Sequence, residues 1–164
     1  MRFGYAIAYV QQVERSVVFY ERAFGLKRRF VDESGQYAEM ETGETTLAFA
    51  SNELGQSNLP SGFRENDPAE PPAGIEIAFV AEDVEAAFHS ALEAGATKAA
   101  EPKTKPWGQT VAYVRDPDGV LVEIDAEFGD ALPDVVAVDG ARERLVLQFL
   151  FDGRDFHVIQ TPTG

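Results

Sequence analysis

The chain has 164 residues, 45% of them hydrophobic and with 12 Phe and 5 Tyr, which suits one compact domain with a short appendage and argues against disorder. Its 28 acidic against 14 basic side chains give a formal charge of −14, which repels phosphate backbones and anionic lipid and so excludes nucleic acid and membrane surfaces as partners. With no Cys, disulfide scaffolds, thiolate metal sites and cysteine nucleophiles are excluded as well.

The absence of Cys suits a reducing compartment. The opening MRFGYAIAYVQQVER lacks the basic start, long apolar run and small-residue cleavage site of a signal peptide, and no apolar run approaches ~20 residues. A soluble, cytoplasmic protein is expected.

A short strand-like run, IAYV at 7–10, leads through a polar pair into a helical pattern. Val13, Val17, Tyr20 and Phe24 recur at the spacing of one buried face, and Glu14, Arg15, Glu21 and Arg22 occupy the other. Gly25 supplies a left-handed stop. Three strand-like segments follow, LKRRFVD, YAEMET and TTLAFAS, each bounded by turn residues. Residues 51–74 carry Pro60, Pro68, Pro71 and Pro72 and read as a connecting loop, which is either a lid or a linker.

The chain then repeats itself. IAFVAEDVEAAFHSALEAGA at 77–96 echoes IAYVQQVERSVVFYERAFGL at 7–26, with Val84, Phe88, Ala91 and Leu92 as the helical stripe and Gly95 at its end. Three more strand-like segments, TKAAEPK, QTVAYVRD and GVLVEID, complete a second unit. Two such units, each covering only one face, must share a core; the predicted fold is α+β, an open half-barrel of mixed sheet with a cleft between modules. Beyond residue 128, ERLVLQFLF, Asp152-Gly153 and RDFHVIQT read as a hairpin with a two-residue turn, and VVAV before Asp139-Gly140 adds a possible strand. This tail would cover a sheet edge, build a dimer contact or roof the cleft.

With VERSVVFYERAFGL after the first strand and YVRDPDGVLVEI near the end of the second unit, residues 3–127 resemble the vicinal oxygen chelate superfamily, which includes glyoxalases, bleomycin-resistance proteins and extradiol dioxygenases. The expected organisation is one domain over 1–128 (module one 3–50, linker 51–74, module two 75–127) and a β extension over 129–164. The resemblance implies a cupped sheet of two βαβββ modules in which four inward side chains hold a divalent metal that chelates adjacent substrate oxygens. Counting back eight from the Val that opens each helix puts the first ligand position of each module at Tyr5 and Glu76. The last ligand position matches Glu123, and the remaining one falls within 47–50, near Ala48 or Phe49, where no residue can coordinate. Two carboxylates and a phenol are too few for a tightly held ion, so no cofactor is expected. If a divalent metal is bound, Glu76 and Glu123 are its ligands. His89 and His157 match no ligand position.

Facing each other without a cation, Glu76 and Glu123 would share a proton, an arrangement fit for acid–base catalysis or for an ammonium group. Alternatively one points to solvent, or pairs with Arg28, Arg29 or Arg115. Strand position and alternation add Tyr5, Tyr37, Glu39, Phe49, Trp107, Gln109 and Tyr113 as ligand-binding wall residues, with Trp107 and Gln109 offering a stacking ring beside an amide. No G-x-S-x-G elbow, H-E-x-x-H helix, Walker loop or dinucleotide fingerprint occurs. The expected function is metal-free binding of a small molecule in the sheet cleft, as in bleomycin-resistance proteins, by a homodimer. A basic glycopeptide or a small metabolite is a candidate guest. The alternative is a metal-dependent or Glu-based lyase, isomerase or dioxygenase.

Overall fold

A computed structural model describes residues 1–106, 108–127, 147–151 and 156–160, the last two segments by backbone alone. The chain divides into two compact units, Met1–Gly129 and Asp130–Gly164.

In the first unit β1 (Tyr5–Val10) leads to α1 (Val13–Phe24), β2 (Arg28–Val31), β3 (Tyr37–Met40) and β4 (Thr46–Ser51). The pattern returns as β5 (Glu76–Ala81), α3 (Val84–Glu93), β6 (Thr97–Thr104), β7 (Thr110–Arg115) and β8 (Leu121–Ala126). Each module is a four-stranded mixed sheet, in order β1-β4-β3-β2 or β5-β8-β7-β6, whose first and last strands pair in parallel while the rest are antiparallel. Neither sheet closes into a barrel, and the duplication legible in the sequence is a duplication of structure.

Apolar periodicity explains why the helices face inward. Val13, Val17, Tyr20 and Ala23 of α1 and Val84, Phe88 and Ala91 of α3 are buried, and the two helices pack against each other. Gly25 ends α1 at φ 67°, and its N–H donates to Glu21 O. Phe49, Val122 and Ile124 complete the core beneath the helices. Aromatic contacts bind the modules together, with Phe24 stacked on Phe79 at 4.7 Å between centroids and Tyr20 6.1 Å from Phe79.

A second tie between modules is polar. The turn Asp116 to Gly119 brings two buried carboxylates against α1. Asp118 accepts from Gln11 N at 2.9 Å, from Ser16 Oγ at 2.9 Å and from the Arg15 guanidinium at 2.6 Å. Asp116 accepts from the backbone N–H groups of Asp118 and Val120 and from the Tyr20 hydroxyl at 3.2 Å. Burial pushes the Asp116 carboxyl up to about 6, and the neighbouring Asp118 charge adds to the effect.

The stretch 51–74, expected as loop throughout, opens instead with a short helix, α2 (Asn52–Asn58), capped by the Ser51 side chain accepting from Leu54 N at 3.1 Å. The Pro-rich remainder is pinned along its middle. Asn66 Nδ2 donates to Tyr9 O at 3.1 Å, and the Arg115 guanidinium donates to the carbonyls of Asp67, Pro68 and Glu70 at 2.8, 3.1 and 2.6 Å.

In the second unit β9 (Leu147–Phe151) and β10 (Phe156–Gln160) pair antiparallel as the expected hairpin. Its Asp152-Gly153 turn and the VVAV segment lie outside the described residues. Among the described residues no helix is long and apolar enough to cross a membrane.

Candidate functional site

Strand alternation sorts side chains onto a helix-facing core and an opposite, open face. In the second sheet the open face carries Glu76, Ala78 and Val80 of β5, Leu121, Glu123 and Asp125 of β8, and Val111 and Tyr113 of β7. Ala78 pairs with Glu123 across the parallel ladder and Tyr113 lies opposite Glu123 across the antiparallel one, so Glu123 stands at the centre of the group. Its carboxylate is the neighbour that Glu76, Asp125 and Tyr113 share, and it perturbs the titration of all three.

Every neighbour responds in the same direction. Partial burial, then the hydrogen bond and charge of Glu123, raise the Glu76 carboxyl above the usual range. Because Glu76 as a whole is exposed, the second cause is the one that a variant isolates. Burial and the Glu123 charge raise Asp125, and burial followed by the hydrogen bond to Glu123 raises the Tyr113 phenol. Two neighbouring carboxyls share one proton more readily than they carry two charges. Among the described residues no cation forms an ion pair with Glu76, Glu123 or Asp125, although Lys105 Nζ lies over the Tyr113 ring at 5.8 Å.

The arginines considered as partners are engaged elsewhere. Arg28 binds Glu21 at 2.8 Å and Glu14 at 3.0 Å, Arg29 lies 3.7 Å from Glu39, and Arg115 fixes the linker. The structure thus brings Glu76 and Glu123 together with Tyr113, and it adds Asp125, which sequence reasoning missed. The signal was available: Asp125 lies two residues beyond Glu123 and therefore on the same strand face.

Tyr5, Tyr37 and Glu39 share the open face of the first sheet. Tyr37 Oη donates to Glu39 Oε1 at 3.2 Å; burial, followed by that bond and charge, pushes its phenol up to about 12. Phe49 does not belong to this wall. It is fully buried on the helix side, its ring 4.8 Å from that of Tyr20, and Ala48 takes the open-face position opposite Ile7 and Glu39. Gln109 sits in the β6–β7 loop, where Nε2 donates to Ala126 O at 3.0 Å. Trp107 lies outside the described residues, as does the side chain of His157; His89 is exposed on α3 against the Phe88 ring.

At the positions where the resemblance expects metal ligands stand Tyr5 and Ala48 on the first sheet and Glu76 and Glu123 on the second. Ala48 offers no donor, and among the described residues no three His, Cys, Asp or Glu side chains are placed to hold an ion together. These residues do not fit a tightly bound divalent metal.

Paired βαβββ modules with polar groups on their open faces define a vicinal-oxygen-chelate type of domain. The profile of the Glyoxalase/Bleomycin resistance protein/Dioxygenase superfamily matches residues 2–124, and the chain belongs to that superfamily. Solved structures agree in fold. A glyoxalase-related enzyme from Fulvimarina pelagi is 19% identical, with 77% of this chain and 88% of that one covered and a TM-score of 0.66. A glyoxalase/bleomycin resistance protein/dioxygenase family enzyme from Burkholderia phytofirmans PsJN is 20% identical, with 77% and 98% covered and a TM-score of 0.65. A protein of unknown function from Agrobacterium tumefaciens str. C58 is 27% identical, with 77% and 94% covered and a TM-score of 0.62. Among curated proteins no sequence matches the chain.

Proposed function

We propose that this superfamily member binds a small molecule on the open face of its second sheet without a catalytic metal, with Glu76 and Glu123 holding the ligand's cationic group. The observation that carries this reading is the pair of carboxylates on one open strand face, with Asp125 alongside and no cation paired to them among the described residues. A bound ammonium or guanidinium would replace the shared proton and restore both charges, so association should release a proton. Tyr113, opposite Glu123 across the antiparallel ladder, supplies an aromatic flank.

Thermal unfolding with a panel of cationic aromatic amines tests the proposal, since a ligand that binds only the folded chain must stabilise it. At least one compound is expected to raise the melting temperature of the native protein and to lose that effect in a Glu76→Gln, Glu123→Gln double variant. A shift that survives in the variant would place the ligand elsewhere, and no shift from any compound would count against cation binding.

The raised Glu76 carboxyl favours a second reading, in which the same pair serves as general acid and base in a lyase or isomerase reaction. Loss of turnover in Glu123→Gln, with substrate binding retained, is expected on that reading; unchanged turnover contradicts it.

A further inference from the structure

Beside the carboxylate face, a cavity of about 390 Å³ opens between β1, the linker and the start of β5. Tyr5, Ile7, Tyr9, Phe63, Ile75 and Leu121 give it an apolar and aromatic wall. Its polar side chains besides the two phenols are Arg64 and Asn66, and no Asp or Glu among the described residues lines it. On a chain with 28 acidic and 14 basic residues, a cavity that excludes carboxylates and admits a guanidinium has a charge preference opposite to its surroundings. Asn66 already uses its amide N–H on Tyr9 O, whereas Arg64 forms no ion pair or hydrogen bond among the described residues.

The wall is built rather than slack. The Tyr9 and Phe63 rings pack at 4.5 Å between centroids, tilted by 33°. Both rings lie on Gly55, where a Cβ would meet them at 2.7 and 2.8 Å. Farther along, the linker is held by the Arg115 bonds to three of its carbonyls. A volume of this size accommodates a small aromatic ligand.

We propose that this cavity is a second binding site, taking a small apolar or aromatic molecule that carries one anionic group, with the ring between β1 and Phe63 and the anion on Arg64. A charge-assisted contact to an otherwise unpaired guanidinium supplies selectivity for the anion, and the apolar wall supplies affinity. The cavity adjoins the Glu76–Glu123 face at Leu121, which pairs with Glu76, but it asks for the opposite ligand charge and is probed by different variants, so either can fail without the other.

The test uses the full chain and two fluorescent probes, 8-anilinonaphthalene-1-sulfonate and its uncharged counterpart N-phenyl-1-naphthylamine. Saturable binding of one sulfonate probe per chain is expected. Arg64→Gln should weaken the sulfonate by about tenfold while leaving the neutral probe within about twofold, since Arg64 is exposed and its loss removes the charge alone. Ile7→Trp should block both probes; Ala73→Trp, in the linker wall, provides the same block without touching β1. Near-ultraviolet circular dichroism checks that each variant is folded. Equal loss of both probes in Arg64→Gln, undiminished binding in both Trp variants, or several weak probes per chain would overturn the assignment. So would probe binding that falls in step with self-association as protein concentration rises, which would give the apolar wall to a second copy.

Discussion

Asp116 is buried against the Tyr20 hydroxyl and two backbone N–H groups, and its carboxyl is pushed up to about 6 from an ordinary 3.8. The folded chain therefore holds that proton more tightly than the unfolded chain does. The stabilisation is fully present below pH 3.8 and is lost as pH rises through about 6. Asp116→Asn keeps an acceptor for both N–H groups and removes the charge. Relative to native protein, the variant should gain roughly 2 kcal/mol between pH 4 and pH 7, as read by urea unfolding at each pH. A constant difference across that range would mean that Asp116 is not what titrates. In sequence, Asp116 to Gly119 reads as a hairpin turn and no more, because its burial depends on Gln11, Arg15, Ser16 and Tyr20, which lie far away along the chain. Asp125 is the opposite case, since strand period alone places it beside Glu123.

At the level of elements, what the sequence shows depends on whether a strand has a wet side. β5 alternates between exposed and half-buried positions and β8 starts on a half-buried and buried alternation, so Glu76 and Glu123 could be set on one face in advance. In β4, Thr46 through Ala50 are all buried, and with apolar residues on both faces nothing in the pattern tells Ala48 from Phe49. The helix α2 was hidden for another reason: NELGQSN has no apolar stripe, and its place is set by Gly55 beneath Tyr9 and Phe63. Adding one methyl there, Gly55→Ala, should destabilise the chain by about 1–3 kcal/mol despite Ala's better helix propensity, because the new Cβ overlaps both rings. Stabilisation measured by the same urea titration would show that the rings simply move aside.

Across the whole molecule, two copies of one module have kept a common scaffold and diverged on their open faces. The first presents Tyr5, Ala48, Tyr37 and Glu39; at the equivalent strand positions the second presents Glu76 and Glu123, with Tyr113 and Asp125 beside them. The scaffold was legible because the helix stripes, the glycine stops and the repeat itself are local patterns, while the assignment of Tyr5, Glu76 and Glu123 to ligand positions rested on the superfamily resemblance. The cavity beside the linker had no such pattern to announce it, being assembled from β1, an irregular segment and the start of β5. The central claim is that the divergent face binds its ligand without a metal. Calorimetric titration of metal-free protein with nickel, zinc, manganese and iron(II) addresses it most directly. The account predicts no tight, stoichiometric binding of any of the four. One ion bound tightly per chain, and lost in the Glu76→Gln, Glu123→Gln double variant, would contradict it and make this protein a chelating enzyme.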